Sequence, residues 1–405
     1  MLETNDQPGE DILMKKLLIT TALVGLTSGA ASAQVNIGII LGFTGPLESI
    51  TPLMAAGAEL AIAEVNASGN FALGTVTSVR GDSGCIDSAL AVASAERLVT
   101  SDRVNALVGA DCSGVTGAVL QNVARPNGIV MISPSATSPA LSTAEDDGLF
   151  FRTAPSDARQ GAVATEIMRD RGVNSIAITY TNNDYGAGLA DSIRTNFEAA
   201  GGTVTLVASH EDGKADYSAE VAALAAAGGE VLVVAGYVDQ GGRGIIRSAL
   251  DLGAFDTFEL VDGMIGQSLI DNIGAELEGS YGQLPGADNP GTEIYQSMAA
   301  AAGFDGTSAF SPESYDAAAL ILLAMARAGS ADSAVFKDHV MDVANAPGEP
   351  IMPGELGRAL EIIAAGGDVD YVGASAVELI GPGESAGNYR ELEVRNGAFE
   401  TVRFR

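Results

Sequence analysis

From Val35 onward, short β-branched runs alternate with Ala-rich stretches of helical period, and this alternation limits the fold more than any other feature of the chain. Val35–Leu41, Val76–Arg80, Ala106–Val108 and Ile129–Ile132 read as strands. Between them Thr51–Val65, Ile86–Thr100 and roughly Ser113–Ala124 read as helices, the first opened by Thr51-Pro52 as an N-cap and N1 pair. Strand–helix–strand repetition implies a parallel sheet covered on both faces. The pattern restarts after Pro155. Helices Asp157–Arg171, Tyr185–Ala200, Tyr217–Ala227 and Gly242–Leu252 are interleaved with strands Ser175–Thr181, Thr203–Ala208, Val231–Ala235 and Phe258–Val261. Past Pro285 only Glu293–Ala302 and Pro312–Ala328 are strong helices, with too little strand for a third sheet. That segment is expected to complete the first unit, with crossings near Pro155, Pro285 and Gly387.

The expected fold class is therefore α/β: two doubly wound, Rossmann-like lobes joined by a multi-stranded hinge. The expected boundaries are 1–33 for an upstream extension and leader, 34–154 plus 286–386 for one lobe, and 155–285 plus 387–405 for the other. A chain of 405 residues exceeds what one core usually serves.

Composition narrows the function classes. With 52 acidic residues against 21 Lys plus Arg, the net charge of −31 argues against nucleic acid as a partner. A hydrophobic share of 47% with 18% charged residues argues against disorder.

Residues 14–33 have the order of an export signal: Met14, Lys15-Lys16, the apolar run Leu17–Leu26, then Ala31-Ser32-Ala33, with cleavage expected before Gln34. The acidic stretch ahead of it leaves both Met1 and Met14 open as the start. No later stretch is long enough for a membrane span, so the mature product is expected to be soluble in the periplasm. Cys85 and Cys112, an even pair in an exported chain, favour a disulfide that would stabilise the fold by roughly 3–4 kcal/mol. A metal site is not expected, because there is no C-x-x-C and His210 and His339 are remote in sequence.

Catalysis finds no support in the motifs. H-E-x-x-H and G-x-x-x-x-G-K-[ST] are missing, and Gly38-Ile-Ile-Leu-Gly42 has the wrong spacing for a dinucleotide loop. His210 and His339 are both expected on the surface. No enzyme activity and no cofactor are expected.

Binding is better served by the turns at strand carboxyl ends, where open α/β sheets take their ligands. Ser113 follows strand Ala106–Val108 and opens a helix, a place for a carboxylate or simply a helix cap. The hydroxyl-rich turn Ser133-Pro-Ser135-Ala136-Thr137 follows the next strand. Tyr185 and Tyr237 stand just beyond two strands of the second unit. Asp262 stands beyond a third, to meet a cation or to cap the next helix.

In this order and spacing, Thr44-Gly-Pro46, Gly109-Ala-Asp-Cys-Ser113, Met131-Ile-Ser-Pro-Ser-Ala-Thr137, Phe151-Arg-Thr153 and Asp184-Tyr-Gly186 resemble the periplasmic leucine/isoleucine/valine-binding group, the type I solute-binding proteins of amino-acid and amide ABC importers. The resemblance spans nearly all of Val35–Arg405. It implies the type I periplasmic binding protein fold and a disulfide between Cys85 and Cys112. It also implies that Ser113, Thr137 and backbone near Ser135 and Ala136 hold a ligand α-carboxylate. Asp262 would meet the α-ammonium, with Tyr185 and Tyr237 closing over the ligand. Phe310 and Ile50 stand where the branched-chain receptor has Tyr and Trp, so the tail pocket is changed. Glu48 and Asp111 are candidates to favour a cationic tail.

The implied role is capture of an amino acid, branched-chain or otherwise apolar, or a related amide, and delivery to an inner-membrane ABC permease and ATPase complex. The rivals are a ligand sensor of the same fold and a secreted α/β hydrolase.

Overall fold

The computed structural model describes residues 1–3 and 34–405; the expected export signal at 14–33 lies outside the described residues. Gln34–Arg405 form one compact unit built around two seven-stranded sheets. In chain order the strands are β1 (Gln34–Leu41), β2 (Thr75–Asp82), β3 (Ala106–Gly109), β4 (Val130–Ser133), β5 (Phe150–Pro155), β6 (Ser175–Thr181), β7 (Thr203–His210), β8 (Val231–Ala235), β9 (Phe258–Leu260) and β10 (Tyr281–Pro285). They continue with β11 (Glu349–Ile351), β12 (Val369–Tyr371), β13 (Leu379–Ile380), β14 (Glu384–Ser385), β15 (Tyr389–Arg395) and β16 (Ala398–Phe404).

The first sheet runs β2-β1-β3-β4-β5-β14-β13 and the second β7-β6-β8-β9-β10-β15-β16, while β11 and β12 form a separate parallel ribbon. Each sheet starts with five parallel strands in the same doubly wound order; in the first β14 continues parallel and β13 turns back at the edge, while in the second β15 and β16 each run antiparallel to the strand before. This is the two-lobed α/β architecture of the type I periplasmic binding fold. The central strands β3, β4, β8 and β9 are buried on both faces, as sheets covered by helices on either side require.

A helix from late in the chain belongs with the first sheet. Ser311–Ala328 is buried along most of its length and packs against Thr51–Ser68. Its Asp316 accepts from the Ala374 and Ser375 amides, each at 2.8 Å, and from the Tyr371 hydroxyl at 2.7 Å, pinning the β12 region to the same core. The chain passes between the sheets at Ser156, 286–289 and 386–388, and the last two crossings are joined by the Gly286 amide donating to the Asn388 carbonyl at 3.0 Å.

Local readings differ from the structure in three places. The first helix is capped by Ile50, not Thr51: the amides of Ile50 and Thr51 both turn back to Leu47, so the helix is entered one residue earlier. Thr51 instead donates its hydroxyl to the Gly42 carbonyl at 2.9 Å. His210 is buried, not exposed, because β7 continues to it and the Thr179 hydroxyl pairs with its Nδ1 at 2.8 Å. Burial pushes its pKa down to about 4, so it is neutral. The strands β5 and β10 to β16 lie outside the strand pattern of the sequence.

Candidate functional site

The doubly wound order leaves a switch point beside β1 in the first sheet and beside β6 in the second, and the carboxyl ends of the strands there carry nearly all the candidate residues. Ile50 follows β1, Ser113 follows β3 and Ser135–Thr137 follow β4. Tyr185 follows β6, Tyr237 follows β8 and Asp262 follows β9. All but Ser135 are buried, as is Phe310 at the start of Ser311–Ala328.

The first-sheet turns are stitched together. Cys112 is the extended residue before the helix Ser113–Val119, and its disulfide to Cys85 ties that helix start to the β2 loop. Gly109 ends β3 with φ +120°, and a Cβ there would stand 2.0 Å from the Ile40 carbonyl oxygen, so only glycine permits this turn beside β1. Ser113 Oγ accepts from the Ser138 amide at 3.1 Å, which leaves its own proton to donate. The Ala136 amide is spent on Ser133 Oγ at 2.9 Å, and the Ser135 hydroxyl donates to the Asp111 carbonyl at 3.0 Å. Ala136 and Ser135 therefore shape the turn.

Arg152, fully buried, anchors the same turn. Its Nη1 donates to the carbonyls of Ala136 and Ser138 at 3.0 and 2.9 Å, and its Nη2 to Ser142 Oγ at 2.7 Å and to Glu384 at 2.5 Å. Asp111 does not face a ligand tail: its carboxylate takes the Gly42 amide at 2.9 Å and the Ser83 hydroxyl at 2.7 Å, fixing three loops to one another. Glu48 is exposed.

On the second sheet, the Tyr185 hydroxyl donates to Asp262 Oδ1 at 2.5 Å, and its ring stacks on Tyr237 with centroids 5.2 Å apart. The Gly263 amide adds a bond to the same carboxylate oxygen at 2.8 Å. A Cβ on Gly263 would sit 2.8 Å from the Tyr185 hydroxyl and 2.6 Å from the Gly236 carbonyl, so glycine is needed for that approach.

Two residues that the sequence reading did not single out complete the arrangement. Asp157 and Gln160 open the helix Asp157–Asp170, both fully buried, and neither carboxylate oxygen of Asp157 nor either amide atom of Gln160 has a hydrogen-bond partner. Thr137 Oγ1 is likewise buried without a partner. Burial raises the pKa of Asp157 well above the usual carboxylate range, the Asp262 charge adds to that, and the neighbouring Thr137 hydroxyl opposes it. Burial also raises Asp262, while Tyr185 opposes. Asp157 thus lies among first-sheet hydroxyls and the second-sheet carboxylate. Buried polar groups normally find partners, so this cluster is chemically unfinished and suited to a ligand that carries both a cation and an acceptor.

The loops above it meet. The Ser49 amide donates to Asp239 Oδ2 at 2.9 Å and the Asp239 amide to the Pro46 carbonyl at 3.1 Å, joining the loop after β1 to the loop after β8. The cleft is in a closed arrangement.

Two mirrored α/β lobes meeting over a buried, half-satisfied polar cluster define a ligand-binding protein of the hinged, two-lobed kind. The chain belongs to the periplasmic binding protein family, whose match covers residues 34–358. A Leu/Ile/Val-binding protein homolog from Brucella melitensis is 31% identical over 361 residues, 84% of this chain and 95% of the relative. The leucine-, isoleucine-, valine-, threonine- and alanine-binding protein of Pseudomonas aeruginosa is 28% identical over 323 residues, 79% of this chain and 85% of its own. Among solved structures, a leucine binding protein from Thermotoga maritima superposes with a TM-score of 0.77 at 21% identity, covering 91% of this chain and 98% of its own. Each is named as a binding protein rather than an enzyme.

Proposed function

We propose that this chain is the periplasmic substrate-binding component of an ABC importer, and that it captures an apolar, branched-chain type α-amino acid in the cleft between its lobes. The observation that carries this reading is the buried cluster of Thr137, Asp157 and Asp262, in which the Asp157 carboxylate and the Thr137 hydroxyl lack partners and Asp262 is held in place by Tyr185 and Gly263. A zwitterion satisfies it. The ligand carboxylate accepts from the Ser113 and Thr137 hydroxyls, and the ammonium donates to Asp262 and Asp157. Hydrogen bonds to charged groups contribute roughly 1.5–3 kcal/mol each. Three or four of them, with an apolar tail buried against Ile50 and Phe310, reach about micromolar affinity after the cost of association.

The lobes are taken as 34–154 plus 286–386 and 155–285 plus 387–405. Donors for the carboxylate sit on one and Asp262 with the tyrosines on the other, so a bound ligand favours the closed hinge. The closed form is what a membrane permease would recognise. The names of the curated relatives support the amino-acid class.

The test is thermal unfolding of ligand-stripped protein against α-amino acids, their amides, urea and carboxylates without an amine. A ligand at about a hundred times its dissociation constant adds ~2.7 kcal/mol, a shift of a few degrees. Leucine, isoleucine or valine are expected to give it. A shift with amine-free acids alone would remove the ammonium role of Asp262 and Asp157.

A further inference from the structure

A separate cavity of about 260 Å³ lies where the chain crosses between the lobes. One wall is the end of β10 and the crossing that follows it, Leu284–Asn289; another is the start of the helix Ser311–Ala328, through Phe310 and Glu313; a third is Arg390 of β15. Leu284 and Arg390 are register partners, so the cavity sits directly on the paired crossing strands.

Its polar groups are not used up by the fold. Among the described residues Arg390 has no carboxylate within ion-pair distance, and its one hydrogen bond runs from Nη2 to the Thr307 carbonyl at 3.1 Å. A guanidinium carries five donors, and an uncompensated, partly buried charge is costly. Opposite it, the Glu313 side chain is almost fully buried and donates to or accepts from no other residue's side chain. Leu284, Pro285, Phe310 and Phe404 supply apolar wall. Arg390 also borders a neighbouring cavity of about 230 Å³ that runs to Ile50, but Glu313 lines only the first.

We propose that this hinge cavity is a second binding site, distinct from the amino-acid cleft, for a small aliphatic monocarboxylate whose carboxylate pairs with Arg390 and whose chain lies against Leu284 and Pro285. A short monocarboxylate matches the single cation, the mixed wall and the size. Glu313 faces the guanidinium; burial pushes its pKa up to about 8, Asp316 adds to the rise and Arg390 offsets part of it. At neutral pH it is a neutral group able to donate to a carboxylate. Glu293 and Asp288 also line the cavity and Asp305 acts on Arg390, so among the described residues Arg390 is the one cation lining the cavity and must hold the carboxylate against these acids, which limits the ligand to a single negative charge. The site does not depend on the identity of the cleft ligand.

Butyrate is the probe, titrated into the mature protein by calorimetry at pH 6.5 and pH 9. Wild type and the cleft variant Asp262→Ala are expected to bind it alike, while Arg390→Gln loses at least about tenfold in affinity, the scale of one charged hydrogen bond. Wild-type binding should weaken severalfold at the higher pH as Glu313 ionises, and Glu313→Gln should remove that fall. Undetectable binding to wild type, or binding lost in Asp262→Ala and kept in Arg390→Gln, would overturn the proposal. If Arg390→Gln does not fold, the electron density of wild-type crystals soaked in butyrate decides. Density against Arg390 supports the site, and density only elsewhere refutes it. Loss of amino-acid binding in Asp262→Ala reports on the cleft alone.

Discussion

The Tyr185 hydroxyl donates to Asp262 Oδ1 at 2.5 Å, binding the turn after β6 to the turn after β9. The phenol fixes which way the carboxylate faces, and stacking on Tyr237 fixes the phenol. Tyr185→Phe should weaken amino-acid binding by about tenfold, close to the lower end of what a hydrogen bond to a charged group contributes. Calorimetry at constant pH measures it. An unchanged affinity would mean that the Gly263 amide alone orients Asp262.

Asp157 and Asp262 should respond to neutralisation with opposite signs for stability and for binding. Both carboxyls are raised in the folded protein, Asp157 the more strongly, so the folded state keeps protons that the unfolded chain has released. Ligand-free stability then falls as pH rises from the unfolded value near 3.8 through the raised folded value. Asp157→Asn should raise the melting temperature of the empty protein at pH 7 and lower its affinity for the amino acid. Melting curves with and without ligand test both halves. A variant that gains no stability when empty would show that Asp157 is already neutral and costs nothing.

Glu313 sets a second pH dependence, away from the cleft. Its carboxyl is pushed up to about 8 by burial, so stability is greatest below about 4.5 for this group and is lost as pH rises toward 8. Asp316, pushed up to about 6 by the same cause, adds to the slope over the lower part of that range. Denaturant midpoints between pH 5 and 9 should decline in wild type and decline less in Glu313→Gln. Parallel slopes would mean that Glu313 reaches solvent and titrates normally.

Arg152 should matter to binding although it touches no expected ligand atom. It holds the carbonyls of Ala136 and Ser138 and pairs with Glu384 in a site it shares with Ser142. Arg152→Met would leave Glu384 without its cation and should cost about 3–5 kcal/mol, the range for breaking a buried pair. Arg152→Lys keeps the charge but not the two-sided grip, so it should lower ligand affinity more than stability. Urea unfolding and calorimetry on the two variants separate these effects.

The Cys85–Cys112 disulfide closes a loop of 27 positions. Reducing it, or replacing both residues by Ser, should cost about 3–4 kcal/mol on the chain-entropy model, read from the shift of the urea midpoint. Because Cys112 immediately precedes Ser113, the double variant should also bind the amino acid more weakly. Unaltered binding would assign the bridge to stability alone.

The local pattern by itself determined the βαβ repeat, the two units and the strand ends on which Ser113, Thr137, Tyr185, Tyr237 and Asp262 stand, because period and turn chemistry are properties of neighbouring residues. The closing hairpin between β15 and β16 does carry a local signal, Asn396-Gly397, both at positive φ. Strands β5 and β10 carry no such signal and exist because a neighbouring strand is there to pair with them.

Only the tertiary structure turned Asp157 from an ordinary first-turn acid into a buried carboxylate facing Asp262, 105 positions further along the chain by their residue numbers. It also buried His210, assigned Asp111 to the loops, and set Glu313 beside Arg390. Sequence patterning fixes which face of a strand or helix is apolar, but not which distant polar group will share its low-dielectric surroundings. That is decided when the two sheets and their crossings pack.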